Sequence, residues 1–288
     1  MMMKKFWTLF LICPVLAALS ACGGDIDTPV EGGEEEEQIK PTPVGPDFVS
    51  AFQKHVALWE FTGAWCANCP AGYTNMNFTL TANSQFTDIV HPMAFHSNNE
   101  AEDDLAISAT DQIMVDMNMV ALGFPSYVVD MNLGGSLVES VMLKEHLLEV
   151  LAESPCYCGV AVSSIVDAGT AKAQIKLYSE VNASWRIAVY VVEDKVKYYQ
   201  KDGMREHKDY THRHVVRSIE SSSYKGDRIG AQVTPADTEL TETYEIAVDE
   251  GWNLDNTYIY VLALDSDGHV NNMNFCPIDG GTADYNKI

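Results

Sequence analysis

The sequence predicts an α/β sandwich followed by an all-β sandwich. Three observations carry that expectation. Residues 48–154 alternate strand-like apolar runs with helical ones in the order β-α-β-α-β-α. Beyond Pro155 the apolar period becomes two and no helical pattern remains. The chain of 288 residues suits two domains, at roughly 150 residues each. The expected segments are therefore 1–21, a leader; 22–47, a tether; 48–154, the α/β part; and 155–288, the β part.

The leader has a basic start at Lys4 and Lys5 and an apolar run from Phe6 to Leu19, too short to span a bilayer. Leu19-Ser20-Ala21-Cys22 resembles a bacterial lipobox. Cleavage before Cys22 would leave that cysteine to carry lipid such as palmitate, and a multiply acylated anchor holds stably. An ordinary secretory leader with an incidental cysteine is the alternative. The tether is rich in Gly, Pro and acid, including Glu34 to Glu37. With almost nothing apolar to bury, it reads as disordered, either a surface-export signal or a plain spacer.

The organising stretch runs from Val56 to Gly72. Val56, Leu58, Trp59 and Phe61 form a β-prone apolar run, Gly63 marks a turn, and Pro70 is tolerated at a helix start. Between them lies Trp65-Cys66-Ala67-Asn68-Cys69-Pro70. This spacing places Cys66 at a helix N-terminus, where free N–H groups and the helix dipole favour a thiolate. Cys69 lies one helical turn on, close enough to close a disulfide. Half of a zinc site or a purely structural disulfide are the other readings. The combination of strand, tryptophan, Cys-x-x-Cys and proline points to a thioredoxin-like redox site. In thioredoxins a buried carboxylate six positions before the first cysteine accepts the proton of the second. Glu60 has that offset and is the candidate base, unless it simply points to water. Gly123-Phe124-Pro125 before a strand looks like the segment that faces the cysteines in such proteins, so Phe124–Pro125 is expected to be cis.

The remaining elements follow in order. The first helix should continue from Ala71 to about Ala82. Asp88 to His96 reads as a strand, with Pro92 marking a bulge or an edge. Leu105 to Met119 has mixed helical periodicity, and Tyr127 to Met131 reads as a third strand ended by Gly134-Gly135. Ser136 to Glu153 is amphipathic, with Leu137, Val141, Leu143, Leu147, Leu148 and Leu151 at helical spacing. This count lacks the fourth and fifth strands of such a sheet and leaves its far edge open.

The β part holds candidate strands at 157–166, 171–179, 185–192, 213–219, 228–233, 241–248, 258–264 and 270–276. Turn signals such as Asp167-Ala168-Gly169 and Lys201-Asp202-Gly203 separate them, which argues for an immunoglobulin-like sandwich. Tyr198 to Arg217 carries an unusual share of basic residues and reads as a long solvated loop entering a strand. His212 and His214 could share a face and hold a metal, but no motif supplies further ligands, so no metal and no cofactor is expected. Cys156 and Cys158 point to opposite faces of a strand and should not pair with each other; either could staple to Cys276. The net charge of −23 excludes nucleic acid as a natural partner, although the tether holds much of it.

Together these residues resemble the outer-membrane lipoproteins named after the outer membrane protein of twenty-eight kilodaltons. The resemblance rests on Glu60-Phe-Thr-Gly-x-Trp-Cys66-x-x-Cys-Pro70, His96, Gly123-x-Pro125, His212-x-His214-Val-Val-Arg217 and Val270-Asn271, and covers almost the whole mature chain. It implies a thioredoxin-like domain, a β-sandwich and a lipid-anchored outer-membrane location, on either face. Two functions follow. In thiol–disulfide exchange on exported proteins, Cys66 attacks, Cys69 resolves, Glu60 moves the proton, Trp65 covers the pair and Pro125 shapes the docking groove. The alternative is a binding or adhesion lipoprotein that uses the fold as a scaffold for an unknown surface partner.

Overall fold

The computed structural model describes residues 38–288, apart from 44, 46 and 139. The leader, Cys22 and most of the tether lie outside the described residues. The described chain is 47% strand and 16% helix, and among its residues no helix is long and apolar enough to cross a membrane.

Strand β1 (Val56–Thr62) buries every residue. A strand with no wet face needs cover above and below and a neighbour on each edge. Its neighbours are β2 (Val90–His96), parallel, and β3 (Ser126–Val129), antiparallel. Helices α1 (Cys69–Thr81), α2 (Ser84–Thr87), α3 (Thr110–Asp116) and α4 (Ser140–Glu153) belong to the same half. On one face of the sheet, Leu58, Val129 and Leu137 pack with Met76 of α1 and Leu143 and Leu147 of α4. The apolar side of α4 is Leu143, Leu147 and Val150; Val141 and Leu148 are exposed, contrary to the sequence reading.

Two glycines expected to end a strand instead form one. Gly134 and Gly135 lie in β4 (Leu133–Ser136), which pairs with β3 across a turn at Asp130 and Met131, both at positive φ. A Cβ on Gly135 would stand 2.8 Å from the Tyr127 hydroxyl, so a bare backbone is what fits beside that ring. The expected helix at 105–119 shortens to α3 because Asn118 adopts a left-handed conformation (φ 58°) and ends it.

The second half supplies β5 (Cys158–Asp167), β6 (Thr170–Ser179), β7 (Ala183–Glu193), β8 (Val196–Asp202), β9 (Arg205–His212), β10 (Val215–Ile219), β11 (Asp227–Thr234), β12 (Thr238–Ala247), β13 (Thr257–Leu264), β14 (Val270–Pro277) and β15 (Gly281–Ala283). Strands β12-β6-β5-β15 form one sheet. It closes over β7, β11, β13 and β14 around Trp185, Val189, Ile175 and Leu177 to make the all-β sandwich.

The two halves do not keep separate sheets. One nine-stranded sheet runs β14-β13-β7-β10-β2-β1-β3-β4, with β11 also on β7, and the described residues belong to one compact unit. The far edge left open by the sequence is filled by β10, a strand of the second half lying parallel to β2 at Val215 and Ala94. Trp59 of β1 accordingly stacks on Phe95 (4.5 Å between centroids) and meets the edge of Tyr190 from β7 (5.8 Å) in one core. The position of Pro92 follows. Strand β10 reaches β2 only at Ala94, whose N–H donates to His214 O (2.7 Å). Pro92 therefore stands where that edge has no partner and its missing N–H is not needed.

Candidate functional site

The site starts at the turn after β1. Gly63 is where the backbone must be bare: a Cβ there would lie 2.7 Å from the Trp65 ring, which folds back over it. Trp65 is pinned by its Nε1–H donating to Ser97 O (2.7 Å) and by an edge contact with Phe124 (5.1 Å). The helix begins at Cys69, with Pro70 in its first turn. Cys66 sits one tight turn earlier, not at the first helical residue, because its carbonyl accepts the Cys69 N–H (3.4 Å) while its own N–H bonds Gly63 O (3.0 Å). Cys66 and Cys69 are joined as a disulfide with Cα atoms 5.4 Å apart. Phe124–Pro125 is cis. Pro125 abuts Gly72 of α1.

The two sulfur-bearing residues face different spaces. Cys66 lines an open groove of about 530 Å³ together with Trp65, Met114, Val120, Phe124 and Lys201. Cys69 lines a chamber of about 20 Å³, room for about one water, with Glu60, His96, His212 and Tyr210. Glu60 is 3% exposed and has no hydrogen-bond partner among the described residues. Burial alone pushes its carboxyl up to about 8.

His96 and Asp103 form a buried pair in the same wall, Nδ1 to Oδ2 at 2.7 Å. The same Asp103 oxygen accepts the Ala64 N–H (2.7 Å) and its other oxygen accepts the Leu105 N–H (2.9 Å). The pair is thus bolted to the cysteine turn. Burial would raise the Asp103 carboxyl, but the hydrogen bond and the attraction a protonated His96 would exert, with the N–H bonds from Ala64 and Leu105, together outweigh it and hold it below the usual range. His212 hydrogen-bonds Tyr199 O through Nε2 (3.1 Å), and its ring lies 5.0 Å from that of His96. Burial first, then the neighbouring His96, lowers it to about 4.

The segment read as a solvated loop is the hairpin of β8 and β9, and it clamps the cysteine turn. Lys201 N–H donates to Ala64 O (2.7 Å) and Gly203 N–H to Ala67 O (2.8 Å). The buried Gln200 side chain donates to Cys66 O (3.0 Å) and Gly63 O (3.3 Å). Sequence reasoning missed Gln200, Asp103 and the role of His212. The available signal was Asp202-Gly203 between two runs of strand length, a hairpin pattern masked by charged residues on both faces.

His212 and His214 do not share a face. His214 takes a left-handed φ of 55° between β9 and β10 and lines a second cavity, of about 330 Å³, with Tyr73, His91 and Tyr258. Among the described residues no cluster of His, Cys, Asp or Glu suits a metal. The expected staple to Cys276 is also absent: Cys156, Cys158 and Cys276 are free and buried. Cys156 Sγ instead donates to Cys158 O (3.2 Å) and Cys158 Sγ to Asn271 Oδ1 (3.5 Å).

A family model described as outer membrane protein Omp28 matches residues 112–278. The chain belongs to the Omp28 outer membrane protein family. The match, narrower than the sequence resemblance, covers β10 and Val270-Asn271 and leaves out the cysteine turn. The Omp28 description carries an outer-membrane location with it. The structure is similar to that of HBP35 of Porphyromonas gingivalis, with a TM-score of 0.66 and 18% identity over 80% of this chain and 76% of that one. At that identity the likeness is one of fold. No curated protein matches the chain.

Proposed function

We propose that this Omp28-family chain is a lipid-anchored envelope protein whose thioredoxin-like half exchanges disulfides with exported proteins, next to an immunoglobulin-like sandwich. One observation carries the reading: the Cys66–Cys69 disulfide opens at Cys66 onto a groove and at Cys69 onto the chamber of Glu60. In the reducing direction the Cys66 thiolate attacks a substrate disulfide and expels one substrate thiolate. Glu60 takes the Cys69 proton. The Cys69 thiolate then attacks Cys66 Sγ, the Cys66–substrate bond breaks, and its electron pair leaves on the second substrate thiolate. Trp65 and Phe124 form the apolar wall against which a peptide would lie, and Pro125 shapes it. The anchor is supported by the lipobox-like Leu19-Ser20-Ala21-Cys22 and by the family's location.

The test is the equilibrium of the pair in a glutathione redox buffer. A potential above about −300 mV, with insulin reduction lost in the Cys66→Ser/Cys69→Ser double variant, is expected. A potential below that value marks a structural disulfide. It would favour the second reading, a surface binding protein on this scaffold, which the low exposure of Cys66 (5%) itself supports. That reading expects partner binding to survive in the double variant.

A further inference from the structure

The proton that Cys69 gives to Glu60 must leave a carboxyl that is itself buried. Glu60 lies on an interior strand of a nine-stranded sheet, and the hairpin of β8 and β9 is clamped across the cysteine turn by the Gln200, Lys201 and Gly203 bonds. The space beside Glu60 holds about one water. The same space is lined by His96, braced by Asp103, and by His212. His96 Nδ1 lies 2.7 Å from Asp103 Oδ2, so a neutral ring that donates through Nδ1 presents Nε2 as its acceptor.

We infer that the His96–Asp103 pair receives the Cys69 proton from Glu60 through water in this chamber, and that His212 walls the chamber without holding the proton itself. The inference rests on the disulfide-exchange reading above. The step balances. Cys69–SH and the Glu60 carboxylate give the Cys69 thiolate and the carboxylic acid. The acid then passes its proton through the water to His96 Nε2, giving an imidazolium beside the Asp103 carboxylate. No oxidant beyond the substrate disulfide is required. The fixed neighbours agree with these roles. Asp103 stays ionised to hold an imidazolium, whereas His212, its Nε2 tied to Tyr199 O, stays neutral across the physiological range. The other titratable or charged groups facing the chamber are Tyr73 from α1, Tyr210 from β9 and Arg213, whose guanidinium is paired with Asp194 (3.0 Å). His96 and Asp103 act through Glu60 and are positioning residues for the resolving step.

The experiment mixes reduced full-length protein with dithiodipyridine in stopped flow. The first thione released reports attack by Cys66, and the second reports closure by Cys69. His96→Gln should slow the second release about tenfold at neutral pH and leave the first unchanged, a smaller effect than loss of a direct acid–base group. His212→Asn should slow it less and keep the shape of its pH profile. Equal slowing of both releases in His96→Gln, or an unchanged second release from pH 6 to 9, would overturn the relay. Should His96→Gln fail to fold, the unaltered protein still decides: the second release must slow in heavy water more than the first, and equal slowing overturns the relay. Absence of any second release in the unaltered protein would sink the exchange reading itself, and the relay with it.

Discussion

Gly72 and Pro125 touch so closely that no side chain fits between them: a Cβ at residue 72 would stand 2.4 Å from Pro125 Cγ. The first helix is set against the groove wall by this contact. Gly72→Ala must push the two apart, and overpacking of this kind costs about 1–3 kcal/mol. A melting temperature lower by roughly 2–10 °C is expected, with slower attack by Cys66. An unchanged melt would show that the helix shifts freely.

Glu60→Gln separates burial from chemistry. The folded-state pKa of Glu60, about 8, lies above the ordinary carboxylate value. Its contribution to stability is therefore fully present below about pH 4 and is lost as pH rises through about 8. The variant should be the more stable protein at pH 9, by on the order of 5 kcal/mol, and should lose most of that advantage by pH 5. Urea unfolding at both values reads the difference directly. A constant offset would contradict the assignment.

Gln200→Ala removes a second donor from the Cys66 and Gly63 carbonyls, which keep the Cys69 and Cys66 N–H groups. The loss is that of the side chain's own hydrogen bonds, about 1 kcal/mol. The local readout is sharper: the reduced variant should alkylate at Cys66 several times faster, because the hairpin no longer holds the turn. Equal alkylation rates would mean that the backbone bonds of Lys201 and Gly203 suffice.

Lys54 and Asp130 form a buried ion pair at 2.8 Å. Lys54 also donates to Val270 O (2.9 Å) and Asn271 O (3.0 Å), so it joins the start of the α/β half to the penultimate strand. Lys54→Met leaves the Asp130 charge buried alone, at a cost of about 3–5 kcal/mol. Chemical denaturation should show that loss as one cooperative transition, since both halves share a sheet. Two separated transitions would contradict the shared core.

Cys22→Ser tests the proposed anchor. The variant should move from the membrane fraction to the soluble fraction and lose palmitate labelling, while retention of both would assign attachment elsewhere.

Much of the candidate site was legible because its chemistry is local. Strand β1, the Gly63 turn, Cys66, Cys69 and Pro70 lie within fifteen residues, so apolar runs, turn residues and cysteine spacing locate them without knowledge of the rest. The sandwich strands were legible for the same reason, since the period-two alternation of β6 or β12 records which face is buried. The hairpin was hidden. Strand β9 is exposed along most of its length, so no apolar alternation betrays it, and the hairpin is held by bonds from Gln200, Lys201 and Gly203 to a turn more than 130 residues earlier.

The sequence by itself determined the cysteine pair, the position of the buried carboxylate and the change from helical to strand periodicity at Pro155, because short-range sterics and burial patterns encode them. Only the tertiary structure decided that β10 completes the first half's sheet, that Asp103 braces His96, and that β8 and β9 close over the cysteine turn. Those depend on strand edges and buried polar groups finding partners far away in the chain, and a lone edge or a lone histidine does not announce its partner.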